Sequence, residues 1–87
     1  MKIEPEFRWV NETDNNKPLT IAGYNHADKM LFLRNGIELI QMNVFGKNFN
    51  FLYNTFGNET EDWNGKIIKL KSEFDNKKGK NIRTIYT

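Results

Sequence analysis

Residues 43–70 read NVFGKNFNFLYNTFGNETEDWNGKIIKL, and this stretch decides the fold. Four of its apolar side chains recur at positions i, i+4, i+7 and i+11, the spacing of one helical face: Phe45, Phe49, Leu52 and Phe56. Asn43 suits the N-cap of such a helix, and Gly57 suits the position just after its last turn. Gly46 inside the helix costs about 1 kcal/mol relative to alanine. We therefore predict a short helix that depends on packing of its phenylalanine-rich face.

A β-hairpin is predicted before this helix, in residues 30–42, MLFLRNGIELIQM. Asn35-Gly36 between two apolar runs favours a type I′ turn, because both central residues of that turn need positive φ. Such a turn places Arg34 opposite Ile37 and Leu33 opposite Glu38. One face of the hairpin then carries Met30, Phe32, Arg34, Ile37, Leu39 and Gln41. The other face carries Leu31, Leu33, Glu38, Ile40 and Met42.

Three further stretches alternate as strands do: LTIAGYN at 19–25, KIIKLKSEF at 66–74 and NIRTIYT at 81–87. Gly23 inside the first of them indicates a β-bulge that bends the sheet. The alternation places Tyr24 on the face opposite Ile21. Residues 1–17 are predicted to form an N-terminal arm, with Phe7 and Trp9 on one side of a short extended piece.

The order of these elements predicts the fold class. Five strands with one helix between the third and the fourth is the order of the OB-fold, a partly open Greek-key barrel. The helix in that fold caps one end of the barrel, which gives its phenylalanine face a packing role. A chain of 87 residues makes one domain. We expect a mainly β, five-stranded OB-fold-like barrel over residues 18–87, preceded by the arm at 1–17.

The chain resembles a group of small phage and prophage proteins with an Asp-Trp-x-Gly-Lys element. The matching residues are Asn43, Phe56-Gly57, Glu61-Asp62-Trp63, Gly65-Lys66 and Gly79-Lys80. The resemblance covers about residues 17–86, although the helix here is richer in phenylalanine. It implies an OB-fold protein of a replication or recombination module that binds single-stranded DNA. The residues themselves predict that Trp63 packs near the helix end, where Asp62 and Gly65 shape a turn.

Composition argues against several kinds of activity. The chain has no cysteine and one histidine, His26, so disulfides, thiolate zinc sites and histidine-rich metal sites are excluded. The acidic residues Glu59, Glu61 and Asp62 lie in one turn without an inward-facing partner acid or base. We therefore expect no enzyme activity, no cofactor and no metal. The N-terminus lacks an apolar run of signal-peptide length, which predicts a cytoplasmic protein, in the host cell if a phage encodes it.

Basic and aromatic residues on the predicted strands favour a groove for single-stranded DNA, or RNA. Such grooves combine cations that follow the phosphates with rings that stack on bases. The candidate binding residues are Tyr24, Lys29, Phe32, Arg34, Lys69, Lys71, Lys77, Lys78, Lys80, Arg83 and Tyr86. Trp9 joins them if the arm crosses the sheet.

The alternative is a small barrel that binds a replication, host or virion protein and no nucleic acid. The net charge of +2 favours this alternative, because committed nucleic-acid binders often carry a larger basic excess. Clustering of the basic residues with Tyr24 or Phe32 on one exposed face would favour DNA. Exposed edge strands and the mixed faces of the hairpin predict a homodimer or higher oligomer in either case.

Overall fold

A computed structural model describes residues 6–87. Its strands are β1 (Arg8–Trp9), β2 (Leu19–Asn25), β3 (Met30–Asn35), β4 (Glu38–Asn43), β5 (Ile67–Asp75) and β6 (Lys80–Tyr86). One α-helix, α1 (Lys47–Phe56), lies between β4 and β5. Two short 3-10 helices span Glu12–Asp14 and Thr60–Trp63. The fold is therefore mainly β with one helix, as predicted.

The strands form one curled sheet, a half-barrel, in the order β1-β4-β3-β2-β5-β6. β1 runs parallel to β4, and the other neighbouring pairs are antiparallel. β2 and β5 are joined only through Leu19 opposite Ile68 and Thr20 opposite Ile67. Within residues 6–87 no ladder joins β6 to β4 or β1, so the half-barrel is open along that side.

The predicted count of five strands is wrong, because the arm contributes a sixth. The N–H of Val10 donates to the Gln41 carbonyl at 3.0 Å, and the Gln41 side chain donates to the Phe7 carbonyl at 3.2 Å. These bonds cover part of the β4 edge, which would otherwise expose unpaired backbone groups. A strand of two residues, one of them the 56% exposed Trp9, has no alternation from which pairing could be predicted.

The predicted hairpin register is also wrong, by a shift of two residues. Asn35 faces Glu38 and Leu33 faces Ile40, so the turn residues are Gly36 and Ile37. Only Gly36 of this pair has positive φ (62°), as in a type II′ turn with glycine first. A shift of two residues keeps every side chain on its predicted face. The four buried hairpin side chains accordingly share one face: Leu31, Leu33, Ile40 and Met42.

The helix is shorter than predicted at its N-terminal end. Gly46, with φ of 58°, precedes the first helical residue, so the predicted N-cap Asn43 belongs to β4 instead. Phe45 lies outside the helix and is 58% exposed, whereas Leu52 is fully buried. The predicted C-terminal end is confirmed, since the N–H of Gly57 donates to the Tyr53 carbonyl at 3.0 Å.

The segment that follows the helix ties it to the sheet. Trp63 is fully buried, and its Nε1 donates to the Gly57 carbonyl at 2.9 Å. The N–H of Gly65 donates to the Ile21 carbonyl, and the N–H of Ile21 donates to the Lys66 carbonyl, both at 2.8 Å. The prediction that Trp63 packs near the helix end is therefore confirmed.

A buried carboxylate fixes the arm against the barrel. Asp14 is 1% exposed and receives two hydrogen bonds from the Arg8 guanidinium, at 2.6 and 2.9 Å. The Arg8 Nε donates to Glu38 on β4 at 2.7 Å, and the N–H of Asn11 donates to Asp14 at 2.9 Å. The hydrogen bonds from Arg8 lower the pKa of Asp14, against the opposing effect of desolvation. Arg8 thus links the arm to β4.

We expect Asp14→Asn to destabilise the protein at pH 7 by about 1.5–3 kcal/mol, the range for a hydrogen bond to a charged group. A carboxyl whose pKa is lowered by folding stabilises above its unfolded pKa, about 3.9, and this stabilisation is lost as pH falls through the folded value. The wild type should therefore lose more stability than Asp14→Asn between pH 7 and pH 3. Urea unfolding at both pH values measures this, and equal losses would contradict it.

Candidate nucleic-acid interface

A cleft of about 560 Å³ lies along the open side of the half-barrel. One wall comes from β1, the end of β4 and the chain leading into α1, and the other comes from β6 and the β5–β6 turn. The cleft exists because β4 and β6 do not pair, so two strand edges face one another across it. We call this space the main cleft.

Two exposed aromatic rings line the main cleft, Trp9 at 56% and Phe45 at 58% exposure. Phe45 is held outward by its neighbours. Val44 is fully buried and its N–H donates to the Lys29 carbonyl at 2.8 Å, while Gly46 turns the chain with positive φ. Large exposed rings in a concave site are available for stacking on a ligand.

The charge of the main cleft is entirely positive among the described residues. No described carboxylate lines it. Four cationic side chains do, namely Lys47, Lys78, Lys80 and Arg83. Lys47 reaches Glu73 at 3.3 Å, which offsets part of its charge. The other three form no ion pair within residues 6–87. The cleft therefore offers net positive charge to an anionic ligand.

Arg83 has a buried Nε with no hydrogen-bond partner in the part of the chain that the structure describes. A guanidinium binds phosphate oxygens through planar, paired hydrogen bonds, so Arg83 suits an anionic ligand in the cleft. The neighbouring backbone groups of β6 already have hydrogen-bond partners in α1. Asn48 of α1 donates to the Arg83 carbonyl at 2.9 Å and accepts from the N–H of Ile85 at 3.1 Å. The helix thus fixes the strand that carries Arg83.

The β5–β6 turn holds its lysines through Asp75. The Asp75 Oδ1 accepts from the N–H groups of Lys77 at 2.9 Å and Lys78 at 3.2 Å, as in an Asx turn. Gly79 follows with φ of 65°, and its N–H donates to the Asp75 carbonyl at 2.7 Å. This turn directs Lys78 and Lys80 to the main cleft, whereas Lys77 is exposed and does not line it.

The structure brings together part of the predicted site. Trp9, Lys78, Lys80 and Arg83 share the main cleft. Tyr24 and Lys29 instead line a smaller pocket of about 200 Å³, described below.

Tyr24 is not on the predicted face. The predicted bulge at Gly23 is confirmed by a register shift between Ile21 and Gly23, and this shift places Tyr24 opposite Leu31 of the core. Its hydroxyl donates to the Val44 carbonyl at 3.2 Å, and burial raises its pKa.

The remaining candidates lie on outer faces of the sheet. Phe32 is half-buried against the Phe7 ring, with centroids 4.8 Å apart, and Arg34 lies on the same face of β3. On the outer face of β5 and β6, Lys69 stands opposite Tyr86.

The Lys71 side chain already has two partners on that outer face. It pairs with Glu73 at 2.9 Å and lies over the Tyr86 ring, 5.3 Å from its centroid. Hydrogen bonds from Lys71 and then Lys47 lower the pKa of Glu73. Lys69 and Lys71 therefore do not share one face with Lys80 and Arg83, so the clustering that would favour DNA is not found for all four.

Sequence reasoning missed Phe45, Lys47 and Asn48 as cleft residues. Phe45 was assigned to the buried helical face because it stands four positions before Phe49. The overlooked signal is Gly46 between them, since a glycine at that point separates Phe45 from the helix rather than lying within it. Lys47 and Asn48 line the cleft because α1 starts at Lys47, later than predicted.

Comparison with family models, curated proteins and solved structures finds no match to this chain. No helix within the described residues is long and apolar enough to cross a membrane. Nor do residues 6–87 contain a group of three or more histidine, aspartate or glutamate side chains arranged to hold a metal ion.

Proposed function

We propose that this protein binds single-stranded DNA without sequence specificity, and that the main cleft is its binding site. One observation carries the proposal: two exposed rings and four cations share a cleft that no described carboxylate lines. Sites for single-stranded nucleic acid combine these two features, because rings stack on any base and cations follow the phosphates.

The half-barrel is further proposed to be of the OB type. With β1 set aside, five strands remain, and α1 lies between the third and the fourth of them. OB-folds bind oligonucleotides with the loops between their first and second and their fourth and fifth strands. The equivalent loops here are residues 26–29 and 76–79. The first contributes Lys29 to the smaller pocket, and the second contributes Lys78 to the main cleft. The resemblance to phage and prophage proteins supports an accessory role in replication or recombination.

The proposed mechanism assigns each group a separate task. Lys78, Lys80 and Arg83 contact phosphates and release the counterions that surround them, which makes affinity depend on salt. Trp9 and Phe45 stack on bases, each contributing about 1–3 kcal/mol. Hydrogen bonding to base edges is not required, so the binding tolerates any sequence.

Titration of a labelled oligo-dT of about 12 nucleotides, a length within the range of OB site sizes, tests the proposal. With three to four phosphate contacts, affinity should fall by about 20- to 50-fold between roughly 50 and 200 mM salt. Trp9 fluorescence should change on binding, since its exposed ring lies in the cleft. Absence of binding at micromolar protein in low salt would exclude the function, and equal affinity for duplex DNA would exclude its preference for single strands.

A pair of lysine variants distinguishes the main cleft from the outer face of β5 and β6. Lys80→Gln should weaken oligo-dT binding several-fold and reduce the slope of log affinity against log salt by about 0.7, the loss of one contact. Lys69→Gln removes the same charge from the outer face and should leave both quantities unchanged. The opposite pattern would assign binding to the outer face.

A protein-interaction module remains the second candidate, favoured by apolar side chains at two hairpin ends. Ile37 is 99% exposed in the β3–β4 turn, and Phe74 is 63% exposed near the end of β5. A partner protein could bury both. The predicted homodimer is compatible with both candidate functions. Light scattering across a range of protein concentrations tests whether the dimer forms.

A further inference from the structure

The smaller pocket adjoins the main cleft. Phe45 and Gly46 line both spaces. Gly46 has no side chain, and nothing lies within 4 Å of the position that a Cβ would take there. Apart from its chain neighbours Phe45 and Lys47, the surface over Gly46 is therefore open, and the two spaces meet there.

One wall of the smaller pocket is a cluster of rings, Tyr24, His26 and Phe49. Their centroids are 5.0 Å apart for Tyr24 and His26, 5.8 Å for Tyr24 and Phe49, and 6.3 Å for His26 and Phe49. Carbon atoms in contact lie about 3.5–4.0 Å apart, so these separations leave no room for a further ring between them. The cluster is thus a continuous surface, and Phe45 stands at the boundary with the main cleft.

The hydrogen bonds and charge of the pocket define what it accepts. The Tyr24 hydroxyl is engaged by the Val44 carbonyl, so Tyr24 offers its ring. Lys29 supplies one cation and forms no ion pair within residues 6–87. No carboxylate of the described residues lines the pocket. This combination of a ring surface and one cation matches an unpaired nucleobase with its phosphate.

We propose that the smaller pocket holds one base of the strand bound in the main cleft, with Lys29 on its phosphate. This inference rests on the proposed function. The strand then runs from the β5–β6 turn, across Gly46, to the β2–β3 turn, and Phe45 stacks at the crossing point. The path predicts that affinity keeps rising with oligonucleotide length until the strand reaches Lys29.

The double variant His26→Ala, Lys29→Gln tests the path, because both side chains are exposed and removable without opening the core. Its affinity for oligo-dT should be measured at lengths from about 4 to 16 nucleotides, the range of OB site sizes. Lys66→Gln, an exposed lysine outside both spaces, is the matched control, and thermal melting checks the fold.

We expect the double variant to bind the longer oligonucleotides about 5- to 20-fold more weakly, with a salt slope smaller by about 0.7. Its affinity should stop rising at a shorter length than that of the wild type. Identical length dependence in the two proteins, with Lys80→Gln still weakening binding, would overturn the path and leave the main cleft in place. Failure of the wild type to bind any length would overturn both proposals.

Discussion

Trp63→Ala should destabilise the protein by about 3–5 kcal/mol, the usual cost of removing a large ring from a core. Trp63 has no exposed surface, and its ring contacts Tyr24 and Phe49 at centroid distances of 5.4 and 5.7 Å. Loss of this ring leaves a cavity between α1 and β2. Total stability of small domains is about 5–15 kcal/mol, so much of the margin would be lost. Urea unfolding followed by circular dichroism measures the change.

Two further substitutions separate the contributions of Trp63. Trp63→Phe keeps much of the ring but removes the donor to the Gly57 carbonyl, so we expect a smaller loss of about 1–3 kcal/mol. Trp9→Ala removes the other tryptophan, which is 56% exposed, and should change stability far less. A cost for Trp9→Ala equal to that for Trp63→Ala would contradict the expectation that the buried ring stabilises the fold far more than the exposed one.

The sequence predicted those features of the fold that depend on local spacing. Alternation located β2, β5 and β6, and the Asn35-Gly36 turn between two apolar runs located β3 and β4, all to within a residue or two. The glycine at 57 located the helix end. The predicted assignment of side chains to the two faces of the β3–β4 hairpin was also correct, because a register shift of two residues does not exchange the faces. Short connections explain why β2, β3 and β4 are neighbours and why β5 and β6 pair, but the β2–β5 pairing joins segments that are far apart in the chain.

The parts that could not be predicted depend on contacts between distant segments. β1 depends on a backbone bond from Val10 to Gln41, a bond from the Gln41 side chain to the Phe7 carbonyl and the Arg8–Asp14 pair, none of which leaves a periodic signal. The main cleft joins Trp9, Phe45 and Arg83, which are far apart in the chain and meet only because β4 and β6 do not pair.

Tyr24 shows a different limit. The bulge beside it was predicted from Gly23, but the bulge reverses the face of the following residue, and that consequence was not drawn from the alternation. A glycine inside a predicted strand therefore makes the facing of every later side chain in that strand uncertain by one position.

Phe45→Ala should weaken oligo-dT binding by about 5- to 150-fold while leaving the free energy of unfolding nearly unchanged. The affinity range corresponds to the 1–3 kcal/mol that a base–aromatic stack contributes. Phe45 is 58% exposed and lies outside α1, so its removal opens no cavity in the core. Its position between the main cleft and the smaller pocket makes it the ring that a continuous strand must pass.

Phe74→Ala is the matched control, because it removes a ring of similar exposure, 63%, that lines neither space. It should leave affinity within about twofold of the wild type, so that loss of surface apolarity alone is excluded as the cause. The salt slope distinguishes the mechanism further. Removal of a stacking ring lowers affinity equally at low and high salt, whereas loss of a phosphate contact changes the slope. Equal weakening by the two phenylalanine variants would show that loss of surface apolarity, not stacking by Phe45 in the main cleft, lowers the affinity.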